Sequence, residues 1–149
     1  MSSPVTRAAT SPPARPEIVV DLDAIAANTA VLRERVGRPL MAVVKADGYG
    51  HGLVPSARAV LAGGADYLGV AVLAEALALR AAGVTAPLLA WLHGPGTDFA
   101  PALAADIELS VSAEWGLAEV VAAARATGRP ARLHPVSYTH LTLPTNSRV

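Results

Sequence analysis

A chain of 149 residues has room for one ordinary domain and too little for two of average size. Hydrophobic residues make up 52% and charged residues 16%, enough for a buried core and too little charge for a disordered polyampholyte. Twelve Lys+Arg balance twelve Asp+Glu, which leaves no basic footprint for nucleic acid. The absence of cysteine excludes a disulfide framework and every thiolate site.

The leader, residues 1–16, carries four prolines and no apolar stretch of signal-peptide type, and reads as a disordered arm. No apolar run reaches transmembrane length, so no membrane partner is expected and a soluble cytoplasmic protein is the default. EIVVD (17–21) is short and β-branched, as a strand would be. Asp23 can cap a helix whose apolar stripe is Ile25, Thr29, Leu32 and Val36, stopped by Gly37 and Pro39. LMAVVK (40–45) is a continuous apolar run, the pattern of a strand covered on both faces.

The cycle then repeats. A helix over 54–61 ends at Gly63 and Gly64, followed by a strand over 67–72. A helix over 73–82 ends at Gly83 and leads to a strand over 87–92. A helix over 98–105 precedes a strand over 108–112, and Ser112 can cap a helix over 113–127. ARLH (131–134) opens one more strand. Strands alternating with single-helix crossovers mean an α/β fold with a parallel sheet. About five strands from LMAVVK onward suit either an open doubly wound sheet or the first part of a (β/α)₈ TIM-type barrel, which typically takes ~250 residues. Periodicity alone does not separate the two.

The four histidines, His51, His93, His134 and His140, show no metal-ligand spacing, and no metal is expected. The densest chemistry is VVKADGYGHG (43–52). In either architecture Lys45 falls at the carboxyl end of a parallel strand, where α/β folds place their ligands. Gly48, Gly50 and Gly52 allow unusual backbone and close approach to an anion, and Tyr49 offers a hydroxyl on a rigid ring. A lysine among apolar strand atoms is partly desolvated, and the neutral amine is the form that condenses with an aldehyde. By spacing alone a solvated charge remains the commoner reading of Lys45. The same holds of a packing aromatic for Tyr49, a turn former for Asp47 and a loop residue for His51.

VVKADGYGHG resembles the cofactor-lysine motif of alanine racemases: an apolar strand, V-K-A, a two-residue step, then Y-G-H-G. EIVVDLDAIAANTAVLRERV resembles the opening segment of that family, and GVAVLAEALALRAAGV its next strand and helix, over about residues 17–134 in all. The resemblance implies a (β/α)₈ barrel followed by a second, β-rich domain, and a homodimer in the full-length parent. It implies that Lys45 is the catalytic residue and holds pyridoxal 5'-phosphate as a Schiff base. Tyr49 would help hold the cofactor phosphate. The small-molecule substrate would be alanine, interconverted between L and D forms, with D-alanine going to peptidoglycan.

Three features of that family have no counterpart in this text: a tyrosine of the second domain, the arginine of a segment like L-K-V-D-T-G-M-G-R, and a later arginine. Residues 135–149 lack Ala, Gly, Asp and Glu, whereas alanine supplies 32 of the first 134. The tail resembles translated sequencing-adapter DNA. The expectation is therefore a partial cofactor-binding barrel over 17–134, inactive by itself. Alternatives are a non-catalytic pyridoxal-phosphate-binding barrel, or a racemase of another small amino acid.

Overall fold

A computed structural model describes residues 16–136. The leader before Pro16 and the tail after Val136 lie outside the described residues. The order of elements is α1 (Leu22–Val36), β1 (Met41–Val43), a short helical segment α2 (Lys45–Tyr49), α3 (Leu53–Ala62), β2 (Tyr67–Val72), α4 (Leu73–Ala81), β3 (Leu88–Leu92), α5 (Ala100–Ala104), β4 (Glu108–Val111), α6 (Glu114–Thr127) and β5 (Leu133–Pro135).

All strand pairs are parallel, and the sheet runs β1-β2-β3-β4-β5 with neighbours in chain order. That order separates the two architectures. A doubly wound sheet reverses direction at a switch point, whereas an unbroken run in one direction lets right-handed crossovers lay every helix on the same face. The sheet is an arc of a (β/α)₈ barrel.

Burial follows from that geometry. Side chains alternate across a strand, and Leu68, Val70, Leu88, Ala90, Leu109 and Val111 take the helix-facing positions, where they form the core with Leu79, Phe99 and Val120. Removing a leucine from water there contributes about 1.5–3 kcal/mol. Met41, Val43, Tyr67, Gly69, Leu89, Trp91, Glu108, Ser110 and His134 take the alternate, inner positions by register. At the edge of the arc Met41 and Val43 remain partly exposed. Helix α1 closes on α3 where Gly63 lies so near that a Cβ would meet the Ala26 carbonyl oxygen at 2.3 Å. Asp66 ties α1 to β1: its carboxylate accepts from the Leu40 N–H at 2.8 Å and pairs with the Arg33 guanidinium at 3.0 Å.

Several sequence expectations are corrected. Residues 17–21 form no strand. Ile18 and Val19 are 93% and 78% exposed, because no sheet edge lies beside them and β-branched propensity without a ladder partner fixes nothing. The cap of α1 is Asp21, whose Oδ1 accepts from the Ala24 N–H at 2.9 Å, while Asp23 falls inside the first turn. Ser112 does not cap α6; Ala113 stands at that position and has no side-chain acceptor to offer. The first strand stops at Val43 rather than Lys45, because the backbone leaves the extended region at Val44 and turns left-handed from Ala46. The last strand is Leu133–Pro135 instead of 131–134, and the Val136 N–H continues its ladder to the Val111 carbonyl at 2.8 Å.

Candidate active site

The chain between β1 and α3 adopts a conformation that sequence patterns do not suggest. Ala46 (φ 53, ψ 51), Asp47 (φ 55, ψ 45), Gly48 (φ 62, ψ 36) and Tyr49 (φ 56) form a left-handed helical turn. Three of the four carry a Cβ, and each such residue costs roughly 1–2 kcal/mol in this region. A turn of this kind persists only where its surroundings over-determine it.

Those surroundings are visible. The Gly48 N–H donates to the Val44 carbonyl at 3.0 Å, and the Gly50 N–H to Ala46 at 3.1 Å. The Gly52 N–H donates to the Asp47 carbonyl at 2.8 Å. Asp47 Oδ1 accepts from the Leu53 N–H at 2.7 Å, so this aspartate caps the first turn of α3 from across the loop. His51 Nδ1 lies 2.8 Å from the Gly48 carbonyl oxygen. Glu75, in the first turn of α4, reaches from the next βα unit: Oε1 accepts from the Asp47 N–H at 3.3 Å, and Oε2 from the N–H groups of Ala71 at 3.2 Å and Val72 at 3.3 Å. Gly48 is buried, and a Cβ on it would meet Ser56 Oγ at 2.5 Å and Ser56 Cβ at 2.9 Å.

The turn brings the two expected site residues together. Lys45 is half-buried, and its Nζ sits 5.9 Å from the centre of the Tyr49 ring. Tyr49 is 59% exposed, so it is not a packing aromatic. Asp47 and His51, both exposed, each make a side-chain hydrogen bond that holds the loop. Beside Tyr49 a concave pocket of about 310 Å³ has apolar walls from Ile25, Val43 and Val60 and polar groups from His51 and Ser56. Ser56 Oγ is buried there and has no hydrogen-bond partner among the described residues. A larger hollow of about 560 Å³ beside α6 presents Arg125 and Arg129 among apolar residues, but no carboxylate, histidine or hydroxyl.

A second polar cluster lies on the inner face of the sheet. Glu108, 9% exposed, accepts from the Tyr67 hydroxyl, from Arg132 Nε at 2.9 Å, and lies 2.6 Å from His134 Nε2. Burial by itself would push the Glu108 carboxyl up, but the bonds from Tyr67, His134 and Arg132 outweigh it and hold the carboxyl below its ordinary value. Burial and the neighbouring carboxylate push the Tyr67 phenol up, so it stays the donor. The cluster starts at the amino-terminal ends of β2 and β4, far along the strands from the loop carrying Lys45. In barrels that end serves stability, and catalysis gathers at the other.

Sequence reasoning had not singled out Glu75, Ser56, Glu108 or Arg80. Arg80 donates to the carbonyls of Val84 (2.8 Å), Ala86 (2.9 Å), Ala105 (2.9 Å) and Asp106 (3.0 Å), sealing the turns beneath β3 and β4. Only Glu75 carried a local signal, an acid at the third position of a helix, where it can accept from the chain entering that helix.

Residues 20–135 match the family model described as alanine racemase, N-terminal domain. An alanine racemase of Frankia casuarinae is 61% identical over 117 residues, covering 78% of this chain and 30% of the relative. One from Mycolicibacterium smegmatis is 59% identical over 122 residues, covering 81% and 31%. The crystal structure of alanine racemase from D-cycloserine producing Streptomyces lavendulae superposes with a TM-score of 0.75 at 53% identity, over 76% of this chain and 30% of that one. The enzyme of Streptomyces coelicolor A3(2) gives 0.75 at 50% identity, over 78% and 32%. The chain thus spans about 30% of the length of the relatives it matches.

Proposed function

Because the chain belongs to the family of alanine racemase N-terminal domains, we propose that it carries the cofactor lysine of a pyridoxal-phosphate-dependent alanine racemase, and that this lysine is Lys45. The observation that carries the reading is the pairing of Lys45 with Tyr49. The chain's single lysine is placed beyond the carboxyl end of β1, half-buried, with its amine above the ring of an exposed tyrosine.

The residues present fit the cofactor. An aldehyde needs a primary amine with access to solvent, which Lys45 offers, and a phosphate needs donors, which the exposed Tyr49 hydroxyl supplies. Pyridoxal phosphate, when bound, supplies the carbonyl that condenses with an amine and the ring that accepts electrons from the α-carbon of an amino acid. Lys45 Nζ would hold the cofactor and then, released by the incoming substrate amine, take and return the α-proton on one face. Tyr49 would donate to the phosphate and keep the ring from turning as the proton moves. The left-handed turn fixes the distance between these two groups.

Racemisation also needs an acid/base on the opposite face. We assign that group to a part of the racemase that this text does not carry, and expect the 149-residue chain alone to be inactive. Alanine as substrate, supply of D-alanine to peptidoglycan, a homodimeric parent and a cytoplasmic site of action belong to the same proposal. The balanced charge supports a small-molecule partner over nucleic acid, and no helix among the described residues is long and apolar enough to cross a membrane. The test is borohydride reduction of the chain with pyridoxal phosphate, followed by peptide mapping. The label is expected on the peptide containing Lys45 and absent from Lys45→Arg; label confined to the terminal amine would refute the assignment.

A further inference from the structure

We infer that Glu75 is a positioning residue for this site: its carboxylate clamps the left-handed turn that presents Lys45 and Tyr49 to the end of the neighbouring strand. The inference rests on the reading of Lys45 as the cofactor lysine and adds a residue to it.

The argument starts from strain. Ala46, Asp47 and Tyr49 all lie at positive φ, so the turn is held against a local preference of several kcal/mol. Most of the bonds that hold residues 45–52 are made within the loop or with the start of α3, and would travel with it if it rearranged. Among the described residues, the bond from the Asp47 N–H to Glu75 Oε1 at 3.3 Å is the side-chain tie that comes from another βα unit. Glu75 is itself anchored, since its other oxygen accepts the N–H groups of Ala71 and Val72 at the end of β2. One carboxylate thus spans two adjacent strand ends, and both of its oxygens are used. The residue at the helix cap, Val72, has no side-chain acceptor that could share this role.

The chemical consequence follows from position. Asp47 sits midway between Lys45 and Tyr49, and its N–H points to Glu75 only while the turn is left-handed. Without the carboxylate that amide loses a charged acceptor, and the turn can relax toward ordinary φ. Relaxation would part the amine from the phenol that is to hold the far end of the same small molecule. The affinity seen from outside is the intrinsic affinity multiplied by the fraction of chains in the competent conformation. With the strained turn near balance with its relaxed form, loss of one hydrogen bond to a charged group lowers the equilibrium constant between them about tenfold or more, and the competent fraction falls several-fold.

The experiment titrates the 149-residue chain with pyridoxal phosphate, following the absorbance of cofactor fixed on Lys45, in four forms: unaltered, Glu75→Ala, Glu75→Gln and Val120→Ala. Glu75→Ala should weaken the cofactor several-fold. Glu75→Gln keeps one acceptor oxygen and should fall between. Val120→Ala removes a buried side chain of α6 remote from the loop. It should lower the melting temperature while leaving cofactor affinity unchanged, which separates positioning from general stability. Amide hydrogen exchange without cofactor gives a second readout: the Asp47 N–H should exchange faster in Glu75→Ala. Unchanged affinity in Glu75→Ala, or an equal loss in Val120→Ala, overturns the inference. Failure of the unaltered chain to take cofactor on Lys45 would instead overturn the proposed function, and this inference with it.

Discussion

Replacing Gly48 by alanine tests whether the left-handed turn and helix α3 are built around each other. Two effects act there. The φ of +62° costs an alanine roughly 1–2 kcal/mol, a penalty that Ala46 already bears in the same turn. The added Cβ would also lie 2.5 Å from Ser56 Oγ and 2.9 Å from Ser56 Cβ. The hydroxyl can rotate away, but the Cβ is fixed to the backbone of α3, so the loop and the helix must separate. Overpacking of this kind costs about 1–3 kcal/mol. Gly50 supplies the internal reference, since its φ is +83° and no atom lies within 4 Å of an added Cβ. Gly50→Ala should therefore lose only the backbone share, and Gly48→Ala about 1–3 kcal/mol more. Urea denaturation at constant slope measures both, and in a double-mutant cycle Gly48→Ala with Ser56→Gly should lose less than the sum of the single losses by a similar amount. Equal losses at the two glycines, within about 0.5 kcal/mol, would refute the claimed contact.

Two further expectations concern residues away from Lys45. The Glu108 carboxyl is held below its ordinary value in the folded chain, so its contribution is present above the ordinary carboxylate range and is lost as pH falls through the lowered folded value. The urea midpoint should accordingly drop on acidification, and Glu108→Gln should flatten that acid limb; an unchanged slope would contradict the assignment. Arg80→Lys keeps the charge but cannot reach four carbonyls with a planar fork, and should cost about 2 kcal/mol in thermal or urea melts. A change below about 0.5 kcal/mol would show those bonds to be dispensable.

The sequence by itself determined the alternation of strands and helices, because apolar runs bounded by glycine and proline leave few other ways to bury side chains. It set Lys45 and Tyr49 four residues apart in VVKADGYGHG, and their reading as cofactor residues rests on the resemblance of that stretch to the alanine racemase motif. It misjudged 17–21, where β-branched residues had no neighbouring edge, and both helix caps, where Asp21 and Ala113 stand in place of Asp23 and Ser112. Local pattern cannot say which of two nearby acids reaches a particular N–H, or whether a strand has a partner.

Tertiary structure decided three things. The order of strands in the sheet chose barrel over doubly wound layers, a choice invisible to periodicity because both use the same βαβ unit. The left-handed turn at Ala46, Asp47 and Tyr49 runs against the preference of each residue and exists only because Asp47, Gly48 and Glu75 meet groups from α3 and β2. The Glu108 cluster joins residues from β2, β4 and β5 whose separation in the chain carries no signal, and their places on the inner face of one sheet bring them within hydrogen-bond reach.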